Sequence, residues 1–222
     1  MYKIALDGPS GSGKSVMARA VSKELNILYV DTGALYRAIG LYMYRNGVDI
    51  VKADEVVARL PEINLELTQG EDGQIVMLNG ENVNGDIRLP EISMYASKVS
   101  AIPKVREFLL DIQRDTAKKN NVIMDGRDIG TVILPDAQVK IFLTASDEER
   151  AKRRFIELQE KGVATTLDEV LADMRQRDYN DSHREIAPLK PAEDSVIVDT
   201  TNLDLEGSRL AILNVIKEKT GA

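Results

Sequence analysis

The chain has 222 residues, of which 43% are hydrophobic and 29% charged, a composition typical of a water-soluble globular protein. Its formal net charge of −7 disfavours nonspecific binding to nucleic acid. The sequence contains no cysteine, which excludes disulfides and thiolate catalysis. Its one histidine, His183, argues against a His-based metal site or a Ser-His-Asp triad. No apolar run approaches the roughly 20 residues that span a bilayer, and the first one leads into a glycine-rich loop, so we expect neither a membrane span nor a signal peptide.

Short apolar runs alternate along the chain with stretches of helical spacing. The run 3–7 ends at the glycine-rich loop, and residues 16–25 then place Val16, Ala20, Val21 and Leu25 on one helical face. Further runs typical of buried strands are 28–31, 122–125, 139–144 and 195–199. This alternation predicts an α/β fold in which a parallel sheet is covered by helices on both faces.

One region departs from this rhythm. Residues 63–83 alternate apolar and polar side chains, with turn signals at Gly70, Asp72-Gly73 and Asn79-Gly80. The pattern predicts a small antiparallel meander inserted into the α/β chain, which we interpret as a separate lobe.

The stretch DGPSGSGKS fits the pattern G-x-x-x-x-G-K-[ST] of a phosphate-binding loop (P-loop). Glycines let backbone N–H groups turn towards phosphate oxygens, and the following helix points its positive end at the anion. Lys14 can reach the β- and γ-phosphates, and Ser15 can ligate Mg²⁺, largely through water. The alternative is a flexible glycine turn, but the strand before the loop and the helix after it are the context that the motif requires. The loop residues are Gly8, Pro9, Ser10, Gly11, Ser12, Gly13, Lys14 and Ser15.

The stretch LYVDTGA, residues 28–34, permits two interpretations. Asp-Thr-Gly after an apolar strand also marks aspartic proteases, which need two such aspartates, so that a chain with only Asp31 would have to act as a dimer. The helical spacing that follows favours the other interpretation. There, Thr32 lies at a helix N-terminus and Arg37 one turn later, where a hydroxyl, N–H groups and a guanidinium can hold a second anion. An N-cap beside a solvated arginine would give the same pattern.

Later charged residues also have two interpretations. Arg177, Asp181 and Arg184 are spaced i, i+4, i+7 and would share a helical face, for which a solvated paired surface is the usual explanation; the family resemblance given below implies a role at the substrate instead. Asp125 lies at the end of an apolar run. A magnesium-associated aspartate has this position in P-loop enzymes, and a turn residue at the end of a strand would give the same pattern.

Three longer segments resemble the bacterial cytidylate kinases, a family of nucleoside monophosphate kinases. They are NGENVNGDIRLPEISMYASKVSAIPKVRE (79–107), DGRDIGTVILPDAQVKIFLTAS (125–146) and RQRDYNDSHREIAPLKPAED (175–194). The motifs G-R-D-I-G-T and R-D-x-x-D-x-x-R are much more specific than the P-loop and separate this family from adenylate and shikimate kinases. The resemblance runs from Ile4 to about Asn202. It implies an ATP- and Mg²⁺-dependent transfer of a phosphoryl group to CMP or dCMP. Among enzymes, the alternative is another small P-loop kinase, with UMP as the nearest acceptor. The alternative outside the enzymes is a nucleotide-dependent switch or binding protein, although the guanine-reading motif N-K-x-D is absent from the sequence.

The resemblance also implies roles for individual residues. Lys14, Arg37, Arg127, Arg177 and Arg184 would be catalytic. The acceptor nucleotide would contact Thr32, Arg37, Ser97, Arg106, Arg127, Asp128, Arg177, Asp181 and Arg184, with Ser97, Arg106 and Asp128 at the cytosine base. ATP would contact residues 8–15 together with Val16, Arg153 and Arg154, and Asp125 would assist the metal. Val16 departs from the family, which often carries threonine there.

The resemblance further implies a P-loop core over residues 1–35, 105–148 and 163–222. An enlarged monophosphate-binding lobe would cover about 36–104, with its β insert at 62–84, and a short lid about 149–162. It implies a cytoplasmic monomer that binds neither nucleic acid nor membrane.

Overall fold

The computed structural model describes residues 2–70 and 73–221. The chain divides into two compact units, one made of Met1–Leu28 with Asn120–Ala222 and the other of Tyr29–Lys119. None of the helices in the described part of the chain combines the length and the apolar character needed to cross a bilayer.

The strands, in chain order, are β1 (Lys3–Asp7), β2 (Leu28–Asp31), β3 (Leu65–Gly70), β4 (Gly73–Leu78), β5 (Glu81–Asn82), β6 (Val122–Gly126), β7 (Val139–Thr144) and β8 (Val196–Asp199). The helices are α1 (Lys14–Leu25), α2 (Thr32–Arg45), α3 (Ala53–Arg59), α4 (Pro90–Ser100), α5 (Pro103–Lys119), α6 (Asp147–Glu160), α7 (Leu167–His183) and α8 (Leu205–Thr220).

The first unit is organised around a parallel sheet in which β6, β1, β7 and β8 are neighbours in that order. Its central strand, β1, is fully buried at Ile4, Ala5 and Leu6, which explains why the run is apolar at successive positions rather than at alternate ones. β1 pairs with β6 so that Asp7 lies opposite Gly126, and the two strands end together. The predicted parallel sheet flanked by helices is confirmed.

The carboxyl ends of β1 and β6 position the loops that follow. In open parallel sheets, ligands bind beyond the carboxyl ends of the strands. The loop of residues 8–13 leaves β1 there and enters α1, while β6 leads into a π-helical turn at Ile129–Ile133. The predicted strands 3–7, 28–31 and 139–144 match the structure residue for residue, and the other two differ by one residue at one end.

The second unit has its own apolar core. α2 contributes buried residues over most of its circumference, and residues from α3, α4, α5 and the small sheet complete the cluster. α5 buries one stripe, Val105, Arg106, Leu109, Gln113 and Ala117, with the i, i+4 spacing of a helix face.

The predicted meander is confirmed as an antiparallel sheet of β3, β4 and β5 within this unit. Asn79 and Gly80 join β4 to β5 with φ of 49° and 84°, the two positive values that a tight hairpin turn requires. The other predicted turn includes Asp72, which lies outside the described residues.

Candidate active site

The glycine-rich loop has a backbone that only glycine can adopt at its two ends. Gly8 has a φ of +153°, and a Cβ there would lie 2.0 Å from the carbonyl oxygen of Leu143 at the end of β7. Gly13 precedes α1 with a φ of +86°, and among the described residues no side chain caps this helix start. The first-turn N–H groups of α1 therefore remain available to an anion, as the sequence predicted.

Lys14 is the first residue of α1, and its side chain lies inside the loop. Its Nζ donates to the carbonyl oxygen of Pro9 at 2.6 Å and to the hydroxyl of Ser12 at 3.2 Å. Burial, followed by the charge of nearby Arg127, lowers the pKa of Lys14 to about 7. A bound polyphosphate would supply the negative charge that stabilises the ammonium form.

Ser15 and Asp125 meet at the carboxyl ends of β1 and β6. The Ser15 hydroxyl donates to Oδ2 of Asp125 at 2.7 Å, and Asp125 is 4% exposed. No group of three or more His, Cys, Asp or Glu side chains suited to a metal occurs in the described part of the chain. A hydroxyl beside one carboxylate fits Mg²⁺, which prefers oxygen ligands, retains water and uses substrate phosphates to complete its coordination.

Two arginines that the sequence singled out are held by carboxylates next to this loop. Arg127 donates from Nε to Asp181 at 2.8 Å. Burial lowers the pKa of Arg127, but the carboxylates of Asp181, Asp178 and Asp125 together outweigh that effect and hold it above its ordinary value. Arg184 donates from Nη2 to Asp128 at 3.4 Å, and both side chains are buried. The structure therefore brings these four predicted residues together as two ion pairs.

The predicted helical face of Arg177, Asp181 and Arg184 is wrong at its last member. α7 ends at His183, and Arg184 has an extended backbone with φ −66° and ψ 144°. Beyond the helix end, the Nε of Arg184 donates to the carbonyl oxygen of Ala187 at 2.6 Å, and its Nη2 reaches Asp128. Arg177 remains on α7 and pairs with Asp173 at 2.8 Å.

The arginines of α6 have separate partners. Arg153 donates to the hydroxyl and carbonyl of Thr200, and Arg154 pairs with Glu157 at 2.7 Å. Val16 on α1 is 54% exposed. The role of these three residues in binding ATP remains a prediction.

Asp7 is a buried residue of this region that the sequence analysis did not single out. Its two carboxylate oxygens accept the N–H groups of Ile129 and Gly130 at 2.8 and 2.7 Å. Burial outweighs these hydrogen bonds and raises the pKa of Asp7 to about 6. Asp7 thus ties the end of β1 to the turn that follows Arg127 and Asp128. Its position directly before the first loop glycine was the available signal.

The second unit contains its own candidate anion site at the start of α2. Asp31 caps this helix by accepting the N–H of Ala34 at 3.0 Å, and its other oxygen accepts from Arg88 at 3.0 Å. The capping side chain is therefore Asp31, and Thr32 is the first helical residue, buried at 3% exposure. Arg37 lies one turn further on, half-buried. Arg88, which the sequence analysis missed, is a second arginine near this helix start.

The residues predicted for the base lie on different elements. Arg106 of α5 is buried, donates to the carbonyl oxygen of Ser100 at 3.1 Å, and lies over the ring of Tyr36 at 5.5 Å from the ring centre. Ser97 is a half-buried residue of α4. Asp128 belongs to the first unit, where it pairs with Arg184.

Comparison with known proteins gives a consistent family assignment. Residues 4–218 match the family model described as cytidylate kinase. Curated relatives named cytidylate kinase include those of Thermosipho melanesiensis, 48% identical over 98% of this chain and 97% of the relative, and of Enterococcus faecalis, 47% identical over 97% and 96%. The relative from Caldicellulosiruptor saccharolyticus is 47% identical over 98% of this chain and 96% of its own.

Solved structures share the fold at low identity. The shikimate kinase of Bacteroides thetaiotaomicron has a TM-score of 0.50 at 15% identity, covering 100% of this chain and 99% of its own. An uncharacterised protein from Eubacterium ventriosum has a TM-score of 0.52 at 15% identity, with the same coverage. At such identity the likeness supports the fold alone, in agreement with the parallel sheet and the loop after β1.

Proposed function

The chain belongs to the cytidylate kinase family, and we propose that it transfers the γ-phosphoryl group of ATP to CMP or dCMP, giving ADP and CDP or dCDP. The observation that carries the proposal is the match to the family model over residues 4–218. The geometry of the first unit agrees with a nucleoside triphosphate as donor. A glycine-rich loop encloses the buried side chain of Lys14, which is the first residue of a helix that no described side chain caps.

The donor phosphates would be bound by the loop of residues 8–15. Its N–H groups and the start of α1 would face phosphate oxygens, and Lys14 would exchange its contacts with Pro9 and Ser12 for the β- and γ-phosphates. Ser15 and Asp125 would hold Mg²⁺, which neutralises phosphate charge when bound. We place Val16, Arg153 and Arg154 at the nucleotide by family resemblance.

The acceptor phosphate would be bound at the start of α2. The N–H groups of the first turn other than that of Ala34, together with the hydroxyl of Thr32, offer donors. Arg37 brings a cation one helical turn away. Ser97, Arg106 and Asp128 would read the cytosine base, and Asp181 the sugar. The burial of Arg106 over Tyr36 supports a fixed rather than a mobile guanidinium.

Little proton chemistry is required of the protein. A monophosphate is already ionised near neutral pH, because its second pKa is about 6, so the acceptor oxygen needs no strong base. The main obstacle is the repulsion between two polyanions brought in line, and the protein can act through positioning and positive charge. Lys14, Arg37, Arg127, Arg177 and Arg184 would supply that charge. Asp181 and Asp128 hold Arg127 and Arg184 in defined orientations before any substrate binds.

Larger movements and cellular context follow from the same proposal. Residues 36–104 would form the monophosphate-binding lobe and residues 149–162 a lid that excludes water, which would otherwise accept the phosphoryl group. We propose that the protein acts in the cytoplasm, as a monomer, on small nucleotides and not on nucleic acid. The absence of cysteine from the sequence agrees with a reducing compartment, and the net charge of −7 agrees with the choice of small nucleotides.

The test is ADP formation from ATP and Mg²⁺ with CMP, dCMP, UMP, AMP, GMP, shikimate or no acceptor. We expect strong turnover with CMP and dCMP, and loss of turnover without Mg²⁺. Turnover that favours another acceptor, or that needs none, would overturn the base assignment. Full turnover in both Arg37→Ala and Arg177→Ala would overturn the site assignment.

A further inference from the structure

Ser10, in the middle of the phosphate-binding loop, is held from outside the loop by two side chains. Its N–H donates to Oδ1 of Asp178 at 2.8 Å, and its carbonyl oxygen accepts from Nη1 of Arg150 at 2.6 Å. Arg150 lies on α6 and Asp178 on α7. Both polar groups of one loop residue are therefore fixed by helices far away in the sequence.

The two side chains also bind each other, so that with Ser10 they form a closed set of contacts, which we call the Ser10 clamp. Nη1 of Arg150 approaches Oδ2 of Asp178 at 2.5 Å, and the two side chains are only 5% and 17% exposed. Arg150 also donates from Nε to the Ala145 carbonyl at 3.0 Å and from Nη2 to Asp147 at 2.6 Å. A guanidinium held by several partners is a well-oriented support.

A nearby apolar contact holds the next loop residue against the same helix. A Cβ built on Gly11 would lie 2.6 Å from Cε of Met174 on α7. α7 therefore touches the loop through Met174 and anchors it through Asp178. A phosphate-binding loop must keep several N–H dipoles pointing inward, an arrangement that is unfavourable before the anion arrives. External hydrogen bonds to Ser10 would offset that cost.

We propose that Arg150 and Asp178 are positioning residues for the donor nucleotide, which hold the loop in its phosphate-binding conformation by fixing Ser10. This inference rests on the proposed use of the loop for ATP. Neither side chain needs to touch the nucleotide. Because α6 includes most of the proposed lid, the clamp would also connect that segment to the phosphate-binding loop.

The test measures ADP binding by titration calorimetry, without any acceptor, in Asp178→Ala, Arg150→Met, the double variant and Arg150→Lys. Asp115→Asn is the matched control, since Asp115 is an exposed carboxylate on the surface of α5 that pairs with Lys118 at 2.9 Å. We expect the Kd for ADP to rise about tenfold or more in each single variant, because small displacements of binding groups are costly. The double variant should lose little beyond either single change, and Arg150→Lys should recover part of the affinity.

Steady-state kinetics then separate positioning from general stability. We expect KM for ATP to rise while KM for CMP changes by less than about twofold, with thermal unfolding recorded for every variant. If an unfolded Asp178→Ala gives no titration, Asp178→Asn and Arg150→Lys answer the question. An ADP affinity that matches the control, with only a lower Tm, would overturn the proposal. A wild-type protein that binds ADP yet does not phosphorylate CMP would overturn the proposed function and leave the Ser10 clamp standing.

Discussion

Arg88 donates to Oδ2 of Asp31 at 3.0 Å, while Oδ1 of the same carboxylate caps α2 by accepting the N–H of Ala34. One buried carboxylate thus fixes both the start of the helix and an arginine that is 48% exposed. Asp31 therefore holds the Arg88 guanidinium beside the N–H groups proposed to bind the acceptor phosphate. The aspartate of the protease-like Asp-Thr-Gly stretch thus has both carboxylate oxygens bound in this support.

We predict that Asp31→Ala lowers the free energy of unfolding by about 1 kcal/mol, the usual cost of losing an N-cap, and also raises KM for CMP several-fold because Arg88 loses its orientation. Asp204 provides the control, since it caps α8 by accepting the N–H of Gly207. Asp204→Ala should lose similar stability in urea unfolding without changing KM for CMP. Equal kinetic effects in the two variants would contradict the prediction.

We predict that Arg37→Met raises KM for CMP by about 10- to 100-fold, because one charge-assisted hydrogen bond contributes about 1.5–3 kcal/mol. KM for ATP should stay unchanged. Arg45→Met is the control on the same helix, because Arg45 pairs with Glu81 and Asp86 at the surface. Steady-state kinetics with each substrate varied separately would check this, and an equal rise in both KM values would refute it.

We predict that Gly8→Ala abolishes nucleotide binding and destabilises the protein by several kcal/mol, since the added methyl would collide with the Leu143 carbonyl oxygen. Gly85→Ala is a matched control. Gly85 has an ordinary φ of −69°, and a Cβ there meets nothing within 4 Å among the described residues. ADP titration and urea unfolding of both variants would check the contrast, which fails if they behave alike.

We predict a pH-dependent contribution to stability from Asp7, whose pKa is raised from 3.8 to about 6. Well below pH 4 the carboxyl of Asp7 is protonated in both the folded and the unfolded protein, so its burial carries no cost from ionisation. Between pH 4 and 6 the folded protein binds the proton more tightly, so this contribution falls as the pH rises. The whole loss is about 3 kcal/mol and is complete only above the folded pKa; about 2 kcal/mol of it falls between pH 4 and 6.

The measurement compares urea unfolding of the wild type and Asp7→Asn at pH 4, 5 and 6. Other carboxylates titrate in the same range, so the quantity to follow is the difference between the two proteins. That difference should change in favour of the variant as the pH rises. A constant difference across this range would show that Asp7 does not titrate there.

The sequence predicted those features of the fold that depend on residues close together in the chain. The apolar runs, the glycine loop and the Asn79-Gly80 turn were readable because their signals lie within a few residues. The Ser10 clamp was not, since Ser10 and Asp178 are 168 residues apart and no local spacing relates them. Arg88 was missed for the same reason, being 57 residues from Asp31. Helical spacing misled at Arg184, because α7 ends at His183 and Arg184 is already extended, which the spacing of charged residues does not reveal.

The contacts of Lys14 have a consequence for how its contribution can be measured. The Pro9 carbonyl and the Ser12 hydroxyl act as intramolecular competitors for the ammonium group that a nucleotide would need. Binding therefore exchanges one set of partners for another and does not simply add a contact. Truncating Lys14 would report the difference between these two pairings, which is smaller than the strength of a lysine–phosphate interaction on its own.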